Sequence, residues 1–192
     1  MSLPLVYAII DKVLYWTFAF TYVWYAYYVI FHKNFPNIRT VPALTKKIIE
    51  LLKQDFEAHQ GGVYTIVDLG SGTGKLTREI AKAMPKAKVV GIERIWQTYM
   101  TAEWLRRWSR LDNLEYRKMD FFSYDLSSAN VIVMYLLPYV MKDLSEKLHK
   151  EIKPGTLIIA NKFALNHGWV PETLPVKTVF FHQKDLHIYR KA

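Results

Sequence analysis

The run YTIVDLGSGTG at residues 64–74 decides the fold of this 192-residue chain. Its first half is a short apolar run typical of a buried strand, and its second half has glycine at positions 70, 72 and 74. Glycine lets a backbone turn tightly and approach a ligand without a Cβ in the way. Lys75 replaces the third glycine of a dinucleotide site, and Leu76 replaces the hydroxyl residue of a P-loop. We therefore expect a nucleoside-type ligand at the turn between a first strand and a first helix.

Strand-like and helix-like segments alternate on both sides of this loop. Strands are predicted at 64–68, 88–93, 114–119, 130–135 and 156–163, and helices at 43–57, 76–84, 96–110 and 144–151. Two further β-like runs, 176–182 and 186–189, flank a short turn at 183–185 and predict an antiparallel hairpin. The pattern predicts an α/β fold, a Rossmann-like doubly wound seven-stranded sheet that is mostly parallel, with an antiparallel C-terminal hairpin.

Acidic residues follow the second and third predicted strands. Glu93 ends the second strand, 23 residues after Gly70, where a carboxylate can accept hydrogen bonds from both hydroxyls of a ribose. The alternative for Glu93 is a surface carboxylate paired with Arg94, which we also include among the candidate cofactor contacts. Asp120 follows the third strand, where it can take an adenine amino group while the ring of Phe121 packs on the base. The alternative is that Asp120 caps a helix and that the phenylalanines belong to the core.

The N-terminal segment is apolar and aromatic. Residues 13–31 carry no charge over 19 residues, and as a helix they would span roughly 28 Å, close to the thickness of a bilayer core. Tyr and Trp favour membrane interfaces. We expect a transmembrane or inserted anchor helix, with a surface-lying or partner-binding helix and a buried helix as alternatives. Lys and Arg just after the segment predict a membrane-associated protein whose catalytic domain lies on the cytoplasmic or equivalent side.

The amino-acid composition excludes several kinds of functional site. The chain has no cysteine, which excludes disulfides, thiolate zinc sites and a cysteine nucleophile. The six histidines show no ligand spacing, so no metal is implied. Lys and Arg outnumber Asp and Glu by 26 to 17, an excess that suits nucleic acid, anionic lipid, an acidic partner or simply a solvated surface. Nucleic acid is the less favoured partner because no appended nucleic-acid module is visible.

The sequence resembles the class I, seven-β-strand methyltransferases. VDLGSGTG at 67–74 is similar to their first motif and VVGIE at 89–93 to their second. The chain also resembles membrane-anchored protein lysine methyltransferases in the order of its segments: an apolar N-terminus, then VPALTKKIIELL, NVIVMYLLPYVMKDLSEKL and KPGTLIIANKF. That family includes the mitochondrial enzymes for the ATP synthase c-subunit and the adenine nucleotide translocase. The resemblance implies S-adenosyl-L-methionine as cofactor.

The resemblance also implies roles for individual residues. Glu93 would bind the ribose, Asp120 with Phe121 the adenine, and Tyr135, after the fourth strand, would lie near the transferred methyl as the candidate catalytic residue. Tyr135 stands in MYLLPY rather than in the Asn/Asp-Pro-Pro-Tyr motif of some amine methyltransferases, which argues against a nucleic-acid adenine methylase. The methionine part of the cofactor would contact the loop residues Asp68, Gly70, Ser71, Gly72, Thr73 and Gly74.

Three functions follow as hypotheses. The first is a methyltransferase for lysine side chains of a membrane or membrane-associated protein. The second is a methyltransferase for a lipid or other hydrophobic small molecule, and the third is a non-enzymatic cofactor-binding module. The expected organisation is a membrane-anchor helix at 1–33, a linker and helix at 34–62, and a methyltransferase domain at 63–192.

Overall fold

The computed structural model describes residues 3–32, 42–59, 61–166, 168–177 and 183–192. The chain divides into two compact units, Met1–Ile38 and Arg39–Ala192. The predicted linker at 34–41 lies outside the described residues.

The described residues of the first unit form a helix, α1, at Leu3–His32. Its described aromatic side chains are largely exposed, with Trp16 at 68% and Phe18 at 75%. The described residues include no helix that is both long and apolar enough to cross a membrane. The predicted helix is therefore present, but the predicted transmembrane span is not confirmed. A helix of 30 residues is long enough for a bilayer core, but the many tyrosines, with Thr17 and Thr21, lower the mean hydropathy of the segment.

The second unit is built on a seven-stranded sheet. Its strands are β1 Thr65–Leu69, β2 Lys88–Glu93, β3 Leu114–Lys118, β4 Val131–Met134, β5 Leu157–Asn161, β6 Glu172–Lys177 and β7 Gln183–Arg190. Their order in the sheet is β3-β2-β1-β4-β5-β7-β6. Strands β1 to β5 are parallel to one another, while β7 runs antiparallel to β5 and to β6. The strand order reverses between β1 and β4, and ligands of such sheets bind at that point, outside the carboxyl ends of the strands.

Helices cover both faces of the sheet because alternate strand residues point to opposite faces. One face packs against α2 at Pro42–Ala58, α3 at Lys75–Ala83 and part of α4 at Trp96–Ser109. The other face packs against α5 at Met141–Glu151. Two apolar clusters thus fix the sheet in position and leave its carboxyl edge for the loops.

The predicted α/β fold with a mostly parallel seven-stranded sheet is confirmed, with one local error in the C-terminal hairpin. The first hairpin strand, β6, begins at Glu172, whereas the sequence analysis placed it at 176–182, a range whose last five residues lie outside the described ones. Residues 183–185, predicted as the turn, form the start of β7 and pair with Lys177, Val176 and Pro175. Pro175 obscured β6, because proline is tolerated in a strand mainly at a sheet edge, and β6 is an edge strand.

Candidate active site

The loop after β1 is held in a tight, ligand-ready conformation. Gly70, Gly72 and Gly74 have φ values of 73°, 57° and 70°, a region in which residues with a Cβ are strained. The N–H groups of Gly70 and Ser71 both donate to the carbonyl of Ile92, at 2.9 and 3.0 Å. These bonds tie the loop to the end of β2, so that the two strand ends form one site.

Two of the glycines are also required by close neighbours. A Cβ on Gly70 would lie 2.7 Å from Cδ2 of Leu136, and a Cβ on Gly74 would lie 2.0 Å from the hydroxyl of Tyr116. The Tyr116 hydroxyl donates to the Gly74 carbonyl at 3.0 Å. Tyr116, on β3, therefore fixes the end of the loop from beneath, a role that the sequence analysis did not predict.

Glu93 lies at the end of β2, 7% exposed, and its carboxylate accepts two backbone hydrogen bonds. Oε2 accepts from the N–H of Gly72 at 2.8 Å, and Oε1 accepts from the N–H of Ile95 at 2.7 Å. A carboxylate has about four lone-pair positions, so both oxygens can still accept a hydroxyl each. Glu93 is thus not the surface partner of Arg94 that the alternative interpretation required.

Asp68 lies within the sheet, 4% exposed, next to the loop. Burial is the main reason why the pKa of Asp68 is raised to about 6, and the nearby charge of Glu93 adds to the effect. A hydrogen bond from Thr77, whose Oγ1 lies 2.6 Å from Oδ2, works in the opposite direction by stabilising the ionised form. A cation placed beside this carboxylate would favour its ionised form further.

Asp120 caps a short 3-10 helix at Phe121–Ser123, as the alternative interpretation anticipated. Its Oδ1 accepts from the N–H of Phe122 at 2.9 Å, and its Oδ2 lies 3.6 Å from the guanidinium of Arg94. The ring of Phe121 is half-buried and packs against the α5 side of the sheet. Asp120, Phe121 and Arg94 all lie at the carboxyl ends of β2 and β3, the edge that also carries Glu93.

Tyr135 directly follows β4 and is half-buried. A phenol is already protonated at neutral pH, and burial raises the pKa of Tyr135 further, so its hydroxyl can donate a hydrogen bond. Leu136 is also half-buried, whereas Tyr139 is 71% exposed.

Two side chains at this edge have buried polar atoms that lack a hydrogen-bond partner among the described residues. They are Ser71, through its hydroxyl, and Asn161, through both atoms of its amide. Asn161 ends β5 and is 2% exposed. By strand alternation it shares a sheet face with Leu157 and Ile159. Asn161 was not predicted, although a polar residue at the end of the apolar run TLIIAN was a usable signal.

The site therefore fits a nucleoside cofactor that carries a cation. The glycine loop lets the backbone come close to a ligand, Ser71 offers an unpaired hydroxyl, and Glu93 offers free lone pairs for hydroxyls. Together with the strand order, this is the arrangement expected of a class I S-adenosylmethionine-dependent methyltransferase.

The chain belongs to the ANTKMT methyltransferase domain family, whose sequence model matches residues 68–173. A protein-lysine N-methyltransferase of Saccharolobus islandicus is 33% identical over 141 residues, which cover 71% of this chain and 83% of that protein. The human ATP synthase c-subunit lysine N-methyltransferase is 28% identical over 133 residues, which cover 69% of this chain but only 54% of the human protein. The chain is therefore an enzyme, and the hypothesis of a non-enzymatic module is set aside.

Solved structures agree on the fold. An RNA methyltransferase from Salinibacter ruber, in complex with S-adenosyl-L-homocysteine, has a TM-score of 0.66 and 25% identity, and the match covers 80% of this chain and 93% of that chain. A precorrin-6y C5,15-methyltransferase from Geobacter metallireducens has a TM-score of 0.64 at 13% identity, covering 82% of this chain and 92% of that one. The cofactor of this enzyme is S-adenosyl-L-methionine.

Proposed function

We propose that this enzyme methylates lysine side chains of a membrane or membrane-associated protein. The observation that carries the proposal is the 33% identity to a named protein-lysine N-methyltransferase over 71% of the chain. The relatives named for the ATP synthase c-subunit support a membrane-protein substrate. The predicted membrane location and orientation of the catalytic domain belong to the same proposal.

The cofactor-binding roles predicted from the sequence are part of the proposal. Glu93 accepts hydrogen bonds from the ribose, and Asp120 with Phe121 holds the adenine while Arg94 neutralises Asp120. Asp68 favours the cationic methionine part, because the carboxylate is buried and a nearby cation lowers the cost of ionising it. The loop residues Gly70, Ser71, Gly72, Thr73 and Gly74 supply backbone and hydroxyl groups at close range.

The cofactor supplies an electrophilic sulfonium methyl, and the protein must supply alignment and a free amine. A lysine in water has a pKa of about 10.4, so nearly all of it is protonated at neutral pH. Tyr135 directly follows β4 and Asn161 ends the neighbouring strand β5, and the two residues are neighbours because Met134 pairs with Ala160. We place the acceptor amine beside them, where the amide oxygen of Asn161 and the hydroxyl of Tyr135 can orient the nitrogen and partial burial favours its neutral form.

We predict that label from radioactive S-adenosylmethionine enters a lysine of a membrane protein, and that turnover at saturating cofactor rises from neutral to mildly alkaline pH. Deprotonation of the acceptor is the physical reason for the rise. Membranes and soluble fractions would be incubated separately with the enzyme, followed by mass spectrometry and by replacement of the labelled lysine with arginine. Label confined to the lipid extract would overturn the proposal in favour of a hydrophobic small-molecule substrate.

A second prediction concerns Asn161. Asn161→Leu should lower kcat/KM at least about tenfold while leaving the free energy of unfolding unchanged or higher, because an unpaired buried amide costs about 1–3 kcal/mol. Kinetics and urea unfolding measure the two effects. Thr156→Val, just before the opposite end of β5, is the matched control: its hydroxyl donates to Ala129 at 3.2 Å, so this variant should lose stability and keep its activity. Full activity in Asn161→Leu would contradict the assignment.

A further inference from the structure

Helix α4 carries an apolar stripe on its solvent side. Trp96, Met100, Trp104 and Trp108 follow one another at intervals of four residues, and their exposed fractions are 55%, 44%, 61% and 78%. Residues four apart lie on one face of a helix, so the stripe runs for roughly 18 Å along α4. The opposite side of α4 packs on the sheet through Ala102, which is fully buried. The stripe is therefore not part of the core.

Cationic groups flank the stripe. Between residues 94 and 118 there are six Lys or Arg residues against three Asp or Glu. Arg107 and Arg94 are 75% and 64% exposed, and the Lys118 ammonium lies 5.4 Å from the ring of Trp96. Glu103 is engaged by its own helix, because its Oε1 lies 2.7 Å from Arg106 and 3.1 Å from Arg107. The surface around the stripe therefore has a net positive charge.

We propose that α4 docks the enzyme on an anionic lipid bilayer, with the tryptophans inserted at the interface and the arginines on the headgroups. Tryptophan is favoured at the membrane–water interface because its ring is buried while its N–H stays hydrated. Basic residues beside such rings add attraction to anionic lipid. The stripe lies on a single helix and is flanked by arginines, which suits a bilayer surface better than a desolvated protein–protein interface, whose core is depleted of charge.

The position of α4 gives this docking a consequence for catalysis. Trp96 follows Glu93 by three residues, so the stripe begins at the carboxyl edge of the sheet that carries the cofactor site. A bilayer under α4 would bring that edge close to acceptors at a membrane surface. The docking surface does not depend on the proposed lysine substrate, and it can be tested without methyl transfer.

The test measures partition of the full chain into vesicles of phosphatidylcholine and phosphatidylglycerol in equal amounts. The double variant Trp104→Ser/Trp108→Ser should bind roughly tenfold or more weakly, because two large apolar side chains lose their burial. Arg107→Gln/Arg110→Asn should weaken binding by roughly fivefold for each charge removed. Affinity for S-adenosylmethionine should be unchanged in both variants, which shows that they fold.

Matched variants on the first unit separate the two aromatic helices. Trp16→Ser/Trp24→Ser removes two tryptophans from α1 and leaves α4 intact. In this α1 variant, introducing Trp104→Ser/Trp108→Ser should lower the vesicle affinity by the same factor as it does in the wild type. Wild-type binding by the α4 variants would overturn it. If Trp16→Ser/Trp24→Ser bound vesicles of phosphatidylcholine alone as tightly as it binds the mixed vesicles, the proposal would also be overturned. Loss of a dimer in Trp104→Ser/Trp108→Ser on size-exclusion chromatography would overturn it in favour of a second copy as the partner.

Discussion

Replacing Glu93 with alanine should weaken S-adenosylmethionine binding by about ten- to a hundredfold, the range expected when a charge-assisted hydrogen bond contributes roughly 1.5–3 kcal/mol. Two effects add in this variant. The ribose loses its acceptor, and the N–H groups of Gly72 and Ile95 lose the oxygens that hold the loop at 2.8 and 2.7 Å. Isothermal titration of the purified full chain measures the affinity.

The variant Glu93→Gln separates these two effects. Glutamine keeps one carbonyl oxygen as an acceptor and removes the charge, so its affinity should lie between those of the wild type and Glu93→Ala. Asp120→Asn is a useful comparison, because Asp120 is more exposed and already caps a helix; its effect should be smaller. Unchanged affinity in Glu93→Ala would mean that the ribose partner lies elsewhere.

The parallel part of the sheet could be predicted from sequence because its signals are local. The runs TIVDL, KVVGIE and VIVM are apolar and short, as strands buried on both faces are, and turn residues or helices bound each of them. The predicted bounds of β2 agree with those observed at both ends. Helix α2 begins at Pro42, a residue that suits the first helical position because it lacks the N–H that this position leaves unpaired.

The C-terminal hairpin could not be placed in the same way. The segment ETLPVK contains a proline and two charged residues, and nothing local shows that it is an edge strand whose pairing runs along one side only. Its register depends on β7, which is itself fixed by its pairing with β5, for example Asn161 with Leu186. The sequence of a six-residue segment does not indicate which distant strand it pairs with.

The residues of the candidate site fall into the same two groups, those indicated by local sequence and those brought together only by the folded sheet. Motif spacing indicated Asp68, the loop glycines and Glu93, because one continuous strand–loop–helix segment and the next strand end determine where they lie. Tyr116 and Asn161 stand on other strands, and only the assembled sheet brings Tyr116 to within hydrogen-bonding distance of Gly74. For Asp120 the sequence allowed two interpretations, a helix cap or an adenine contact. The cap uses Oδ1, and Oδ2, which lies 3.6 Å from Arg94, can still accept a hydrogen bond from an adenine.

Gly74→Ala should lower the free energy of unfolding by about 2–4 kcal/mol, combining a strained backbone with crowding of a packed side chain. Gly74 has a φ of 70°, and a Cβ there would lie 2.0 Å from the Tyr116 hydroxyl and 2.5 Å from Cζ. Tyr116 is 6% exposed and donates to the Gly74 carbonyl, so its ring cannot move aside without losing that bond. Urea unfolding measures the change, and cofactor affinity should fall with it because the same residue ends the binding loop.

Gly62→Ala provides the control for backbone strain alone. Gly62 has a φ of 82°, and a Cβ there would meet nothing within 4 Å, so its replacement should cost only about 1–2 kcal/mol. The crowding at Gly74 can be isolated with Tyr116→Val. In that background Gly74→Ala should cost no more than Gly62→Ala does in the wild type. The coupling energy between Gly74 and Tyr116 is the difference between the cost of Gly74→Ala in the wild type and its cost in Tyr116→Val. Equal costs for Gly74→Ala with and without Tyr116 would mean that backbone strain alone, and not the tyrosine beneath the loop, requires glycine at this position.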